Sequence, residues 1–178
     1  MVKGLILMGG QSTRMGNDKA FVQWKGKTLL DHALCNLQEI TSDIYLSVNT
    51  EQFKALSPQH KCIKDLYPDK GPMGGILSGL ETLQKDLLVV AVDMPESSAP
   101  MMERLIQNSS KVSAFKNPDQ KWEPLPSFWP VSITPVLKGY LMNNELSLSS
   151  FLNIHGMAVI SDANSSSFRN LNRPADLS

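Results

Sequence analysis

Excess charge is the first thing this chain lacks. Lys+Arg and Asp+Glu each number 17, so the net charge is zero. No global field draws it to nucleic acid or to an anionic membrane, and any basic function has to be local. Long apolar runs are also missing. The longest, Leu87–Val92, is far too short to span a bilayer. Met1-Val2-Lys3 leads straight into an apolar segment and leaves no room for a signal peptide, so the expected compartment is the cytoplasm. Cysteine is scarce: Cys35 and Cys62 stand far apart, with no C-x-x-C pair. Cys35 falls on the apolar side of a predicted helix and reads as a buried free thiol. His32, His60 and His155 fit no metal-ligand spacing, and no G-x-S-x-G elbow is present. Internal repeats, coiled-coil heptads and a linker between domains are absent. The 178 residues are 42% hydrophobic and 19% charged. That is an ordinary balance for one globular domain over residues 1–178.

Strand-like and helix-like segments alternate, which predicts an α/β fold with a mostly parallel sheet covered by helices. Gly4–Met8, Ile44–Val48 and Ile63–Leu66 read as strands. Leu87–Val92, apolar throughout, reads as a central strand covered on both faces. Thr28-Leu29-Leu30-Asp31 looks like a capping box, followed by a stripe of Leu29, Leu30, Ala33, Leu34 and Leu37. Gly71-Pro72-Met73-Gly74-Gly75 breaks the chain before Ile76, Leu77, Leu80 and Leu83 repeat at helical spacing. Pro100 suits the first turn of another helix. Val112–Phe115 and Leu125–Trp129 are predicted to pair as strands. Thr134-Pro135 starts a helix expected to bury Val136, Leu137, Tyr140 and Leu141. Met157–Ile160 is a late strand, and Ser161–Ser167 a polar loop. Trp24, Trp122, Trp129 and the methionines read as packing residues.

The chemistry-bearing stretch is Leu5 to Ala20. Leu5-Ile6-Leu7 reads as a buried strand, the pair Gly9-Gly10 breaks it, and Ser12, Thr13, Arg14 and Lys19 follow. Glycines let backbone N–H groups approach an anion closely. Arg14 offers a planar fork of donors and Lys19 a compact charge. This is the composition of a loop that wraps a triphosphate. It is not a Walker A loop: Gly10 and Gly16 are separated by five residues, and Lys19 comes later still. Nor does an adjacent glycine pair supply G-x-G-x-x-G. On its own the pair would equally suit a polar strand-to-helix turn. The whole pattern, however, resembles L-x-G-G-x-S-x-R-M-G-x-D-K, the signature of MobA-like nucleotidyltransferases. Leu7, Gly9, Gly10, Ser12, Arg14, Met15, Gly16, Asp18 and Lys19 fill its fixed positions.

Three further constellations follow in the family's order. Val92-Asp93-Met94-Pro95 puts a carboxylate where a central strand ends. Ligands of open α/β sheets bind at such ends, and a carboxylate there can hold Mg²⁺ against a triphosphate. The alternative is a helix-capping Asp. Asp65 precedes Gly71-Pro72-Met73-Gly74-Gly75, a pattern the family places near the nucleobase; Asp65 faces the nucleotide or caps a turn, and Gly75 reads as a packing glycine. Asn49 ends the second strand, where a nucleotide contact and an ordinary turn residue are both open. Asn170-Leu171-Asn172-Arg173-Pro174 resembles the family's N-x-N-T-P, with Arg173 in place of Thr. Its two amides suit phosphate or a pterin. One departure is plain. Asn144-Glu145-Leu146-Ser147 holds no basic residue where relatives often carry an arginine for the pterin phosphate; Lys138 and Arg173 are the available substitutes.

The resemblance implies a three-layer α/β/α, Rossmann-like fold of the nucleotide-diphospho-sugar transferase type. It implies transfer of GMP from GTP to molybdenum-bound molybdopterin, with Mg²⁺ as cofactor. Lys19, Asp93 and Arg14 would carry catalysis. Leu7, Met8, Gly9, Gly10, Lys19, Asn49, Asp65 and Asp93 would hold the nucleotide. Ser12, Arg14, Asn170 and Asn172 would hold the acceptor, and Asp93 the metal. Expected partners are GTP, molybdopterin, and molybdoenzymes or other cofactor-synthesis proteins, with a monomeric chain and no nucleic acid or membrane. The rival readings are a CTP-dependent enzyme acting on molybdopterin, a sugar-phosphate nucleotidyltransferase, and a non-catalytic GTP-binding adaptor.

Overall fold

Residue alternation along each strand dictates which helices cover which face. The computed structural model describes residues 1–9, 19–107, 110–160, 168 and 171. Its elements are β1 (Lys3–Leu7), β2 (Gln23–Trp24), β3 (Lys27–Thr28), α1 (Leu29–Gln38), β4 (Ile44–Val48), α2 (Thr50–Leu56), β5 (Cys62–Lys64) and α3 (Gly71–Leu83). Then come β6 (Leu87–Ala91), α4 (Ala99–Ile106), β7 (Val112–Lys116), β8 (Trp122–Trp129), α5 (Thr134–Met142), α6 (Leu148–His155) and β9 (Gly156–Ile160). Single 3₁₀ turns form at Lys19–Phe21 and Val131–Ile133.

Among the described residues, seven strands make one sheet in the order β5–β4–β1–β6–β8–β7–β9, and β2–β3 is a separate hairpin. All neighbours from β5 to β6 are parallel, whereas β8 runs antiparallel to both β6 and β7. Ile6, Leu46, Leu88 and Val90 face one way, into a core with Leu29, Leu37, Leu56 and Met102. Leu5, Leu7, Leu87 and Val89 face the other way, against Ile76, Leu80, Leu137 and Phe151. Successive side chains of a strand point to opposite faces. Helices α1, α2 and α4 therefore cover one face, and α3, α5 and α6 the other. This is the three-layer α/β/α arrangement expected from the sequence.

The capping box of α1 forms in full: Thr28 Oγ1 accepts from Asp31 N–H at 3.0 Å, and Asp31 Oδ2 accepts from Thr28 N–H at 3.1 Å. Helix α3 approaches the sheet closely. A Cβ at Gly75 would stand 2.7 Å from Ser47 Oγ and 2.9 Å from Leu7 Cδ2; one at Gly79 would stand 2.8 Å from Leu5 Cδ2. Gly75 is the packing glycine that its sequence context suggested. At the amino edge of the sheet, Asp43 pairs with Lys3 and with Lys61, the latter at 2.8 Å. The bond from Lys3, and then that from Lys61, pull its carboxyl down from 3.8 to about 2.

The structure corrects some expectations. Cys35 is half-buried, with its Sγ 3.5 Å from Lys27 Nζ. It lies two residues from both Ala33 and Leu37, off the stripe they define. Val136 is 38% exposed, because α5 buries the Leu137–Leu141 line and Val136 lies one residue off it. Tyr140 is half-buried, edge-on to Phe151. Helix α2 went unpredicted, since its apolar contacts reduce to Phe53 and Leu56. The β2–β3 hairpin also went unpredicted; it turns on Lys25 and Gly26, with φ of 45° and 81°. Its signal was an X-Gly turn.

Overpacking a tight helix–sheet contact costs about 1–3 kcal/mol. Gly75→Val is therefore expected to lower stability by about that much in urea unfolding, because its side chain would be driven into Ser47 and Leu7. Asp43 gives a pH signature. Its folded-state pKa is depressed, so its stabilising effect is present above pH about 4 and lost as pH falls toward about 2. Asp43→Asn should flatten the stability-versus-pH curve across that window alone.

Candidate active site

The order β4–β1–β6 contains a reversal. From β1 the chain steps outward to β4 and β5 with helices on one face. It then returns along α3, on the other face, to β6 at the far side of β1. Right-handed crossovers force that change of face when the direction reverses. A crevice opens at such a switch point, at the carboxyl ends of the strands. Leu7–Gly9, Asn49, Asp65 and Asp93 all follow those ends.

Met8 N–H donates to Ser47 O at 3.2 Å, and Val92 N–H donates to Leu7 O at 3.1 Å, so the three strand exits are laced together. Gly9 sits at φ +85°, a conformation other residues rarely adopt. After the loop, the 3₁₀ turn Lys19–Phe21 is anchored by fully buried Ala20. From this turn Lys19 Nζ reaches Asp93 Oδ2 at 2.7 Å, and each side chain retains about a fifth of its exposure. Residues 74 positions apart thus meet across the crevice.

Several tethers hold Asp93, and sequence reasoning missed them. Leu171 N–H donates to Asp93 O at 3.0 Å, and Leu171 is buried in the core beside α1 and α4. Asn36 Nδ2, from α1, donates to Pro95 O at 3.0 Å. Lys25 pairs with Glu96 at 3.2 Å while lying over the Trp24 ring, 4.0 Å from its centroid. The hairpin that follows Lys19 is thereby clipped to the turn that follows Asp93. A polar residue on an otherwise apolar helix side was the available signal for Asn36. Nothing in the sequence marked Lys25–Glu96.

At the other end of the crevice, Asn49 Oδ1 accepts from Gln52 N–H at 2.8 Å as the cap of α2. Asp65 N–H donates to Val48 O at 2.8 Å. Asp65 Oδ1 accepts from Tyr67 N–H at 2.8 Å and from Ser78 Oγ at 3.0 Å. Lys138 bonds Glu81 at 2.8 Å, ten residues along α3 from Gly71 and away from the crevice. That bond and one from Tyr67 hold Glu81 below its ordinary range, while Glu81 raises the Tyr67 hydroxyl. Lys70 Nζ reaches Asn144 Oδ1 at 2.8 Å, within the loop that lacks the expected arginine. Gly10, Ser12, Arg14, Asn170, Asn172 and Arg173 lie outside the described residues, as does Ser161–Ser167. Among the described residues there is no cluster of three or more His, Cys, Asp or Glu able to hold a metal. No helix there is long and apolar enough to cross a membrane.

A sequence model of the MobA-like NTP transferase domain matches residues 4–158. The chain belongs to that family. A molybdenum cofactor guanylyltransferase of Serratia proteamaculans is 32% identical over 180 residues, covering 98% of this chain and 91% of the relative. One of Yersinia pestis is 29% identical, with coverage of 98% and 92%. Among solved structures, a molybdopterin-guanine dinucleotide biosynthesis protein A from Archaeoglobus fulgidus superposes with a TM-score of 0.83 at 24% identity, covering 99% and 95% of the two chains. A 2-C-methyl-D-erythritol 4-phosphate cytidylyltransferase from Thermus thermophilus gives 0.68 at 13%, covering 99% and 96%. The fold is therefore that of the nucleotide-diphospho-sugar transferases, shared by enzymes with different acceptors.

The Lys19–Asp93 pair keeps both side chains partly open to solvent. Partly exposed ion pairs contribute about 1 kcal/mol or less. A double-mutant cycle of Lys19→Met and Asp93→Asn, followed by urea unfolding, should give a coupling of that size. A coupling several times larger would make the pair a structural strut.

Proposed function

We propose that this chain transfers GMP from GTP to molybdenum-bound molybdopterin, releasing pyrophosphate and forming the guanine dinucleotide cofactor. The observation that carries this reading is the 2.7 Å Lys19–Asp93 pair at the switch point, in a chain whose relatives are named molybdenum cofactor guanylyltransferases. In this reading residues 1–178 act as one catalytic domain, a cytoplasmic monomer that passes its product to molybdoenzymes or other cofactor-synthesis proteins.

The pterin phosphate oxygen attacks the α-phosphorus of GTP, and the bond between that phosphorus and the oxygen bridging it to the β-phosphorus breaks. The nucleophile is already an anion, so no strong general base is needed, and catalysis reduces to alignment and charge neutralisation. Lys19 neutralises the triphosphate and the charge developing on it. Arg14 offsets repulsion between the reactants or grips the leaving group. Leu7, Met8, Gly9 and Gly10 supply backbone contacts to the nucleotide, with Asn49 and Asp65 toward ribose or base. Ser12, Asn170 and Asn172 hold the acceptor.

The donor set fits a divalent metal of the Mg²⁺ type. Such a cation takes one or two carboxylates plus phosphate oxygens, not an all-protein cage. Asp93 is the carboxylate beside Lys19, and the described residues hold no cluster of metal-ligating groups. Mg²⁺ held there by Asp93 would supply Lewis-acid charge neutralisation for the departing pyrophosphate. Without ligand, Lys19 and Asp93 serve as counter-ions to each other. With nucleotide bound, the ammonium turns to phosphate and the carboxylate to the metal.

Asp93→Ala should lower turnover by about two to three orders of magnitude while leaving stability close to that of the parent. The assay is pyrophosphate release from purified protein with GTP, Mg²⁺ and molybdenum-loaded molybdopterin. Near-normal activity would remove the metal role, and unchanged GTP affinity and rate in Lys19→Ala would remove the phosphate role. Preference for CTP or UTP in the same assay would overturn guanylyl transfer. Tight GTP binding with no pyrophosphate would point to an adaptor.

A further inference from the structure

Ser78 is a polar residue that the function has not yet used. It lies on α3 within an apolar run, Ile76-Leu77-Ser78-Gly79-Leu80, and is fully buried. A buried helical serine ordinarily bonds the carbonyl four residues back, and Ser78 Oγ does lie 2.8 Å from Gly74 O. Its single hydrogen can serve only one acceptor, and the charged Asp65 carboxylate is a stronger acceptor than the carbonyl. Leu66 N–H donates to Oγ at 2.9 Å, and Oγ lies 3.0 Å from Asp65 Oδ1. One hydroxyl therefore joins the exit of β5 to the first turns of α3.

The consequence falls on Asp65. Its Oδ1 accepts twice, from Ser78 and from Tyr67 N–H, whereas Oδ2 has no partner among the described residues. The terminal torsion of an aspartate is soft and nearly two-fold, so an untethered carboxylate would exchange its oxygens. Two donors on the same oxygen stop that exchange and leave Oδ2 as the oxygen that can meet a ligand. Guanine presents N1–H and a 2-amino group on one edge, two donors that suit such an acceptor.

We infer that Ser78 is a positioning residue for nucleobase selectivity, acting through the Asp65 carboxylate. This rests on the reading of Asp65 as a nucleobase contact. Ser78 touches no substrate. It fixes which oxygen Asp65 presents, and so favours a base with a 2-amino group over one without.

The test compares GTP with ITP, which lacks that amino group, by pyrophosphate release from the full chain with loaded molybdopterin. Ser78→Ala should raise KM for GTP about ten-fold and shrink the GTP/ITP ratio of kcat/KM by a similar factor, with kcat within about two-fold. Ser78→Thr, which keeps the hydroxyl, should restore the ratio. Loss of thermal stability in Ser78→Ala with an unchanged KM and ratio would reduce Ser78 to packing and overturn the inference. Should Ser78→Ala not fold, Ser78→Cys carries the test: it keeps the volume but donates weakly, and a parental GTP/ITP ratio in it would likewise overturn the inference. Asp65→Asn separates the two levels. If it relaxes the ratio while the Ser78 variants do not, only the role of Ser78 fails. If it leaves the ratio unchanged, the nucleobase reading of Asp65 fails and takes the inference with it.

Discussion

A parallel sheet can carry helices on both faces only if the chain reverses its march across the sheet, because each crossover is right-handed. In this chain the reversal occurs at β1. Everything functional follows from that constraint. The exits of β4, β5 and β6 are brought beside the glycine turn after β1, and a crevice forms where the crossovers part. On the β8 side of β6 the sheet opens further. The β6–β8 ladder ends at Val89–Ser127, next to Pro126, which has no N–H to donate. Beyond that point β6 continues with β1 alone, through Ala91.

Lys19 and Asp93 neutralise each other where β1 and β6 end. A chain with no net charge cannot steer GTP by a global field. It places one ammonium and one carboxylate in contact instead, each partly exposed. The arrangement stores little folding energy. It leaves both groups available to exchange partners, which suits a reaction that brings two anions together. Around the pair, Asn36 bonds Pro95 O, Leu171 N–H bonds Asp93 O, and Lys25 pairs with the Glu96 side chain. They hold the turn after β6 in register with the turn that carries Lys19.

Close approach of α3 to the sheet sets the surroundings of Asp65. Gly75 and Gly79 let the helix settle against Leu7, Leu5 and Ser47. At that depth the buried Ser78 hydroxyl can reach both Leu66 and Asp65. A bulkier helix face would lift α3 and open this network. Packing at Gly75 and Gly79 therefore sets the depth at which Ser78 meets Asp65.

Much of this was legible in the chain itself. Periodicity fixed β4 at Ile44–Val48 to the residue, and the Thr28/Asp31 box marked where α1 begins. Those features are local: a cap or an alternating strand involves neighbours within a few positions. The Gly-rich loop and the aspartate after β6 were legible because their residue types suit phosphate and metal chemistry. Helix α2 and the β2–β3 hairpin were not, since a seven-residue helix and two-residue strands hold too few apolar positions to show a period. Cys35 and Val136 were misplaced because one residue's rotation around a helix axis separates buried from exposed. The sequence alone determined which groups are available, namely Lys19, Asp93, Asp65 and the glycines. Only the tertiary structure decided which of them meet. Contacts such as Lys19–Asp93 or Ser78–Asp65 depend on strand order and helix depth, and those are set by packing across the whole sheet rather than by any nearby stretch of chain.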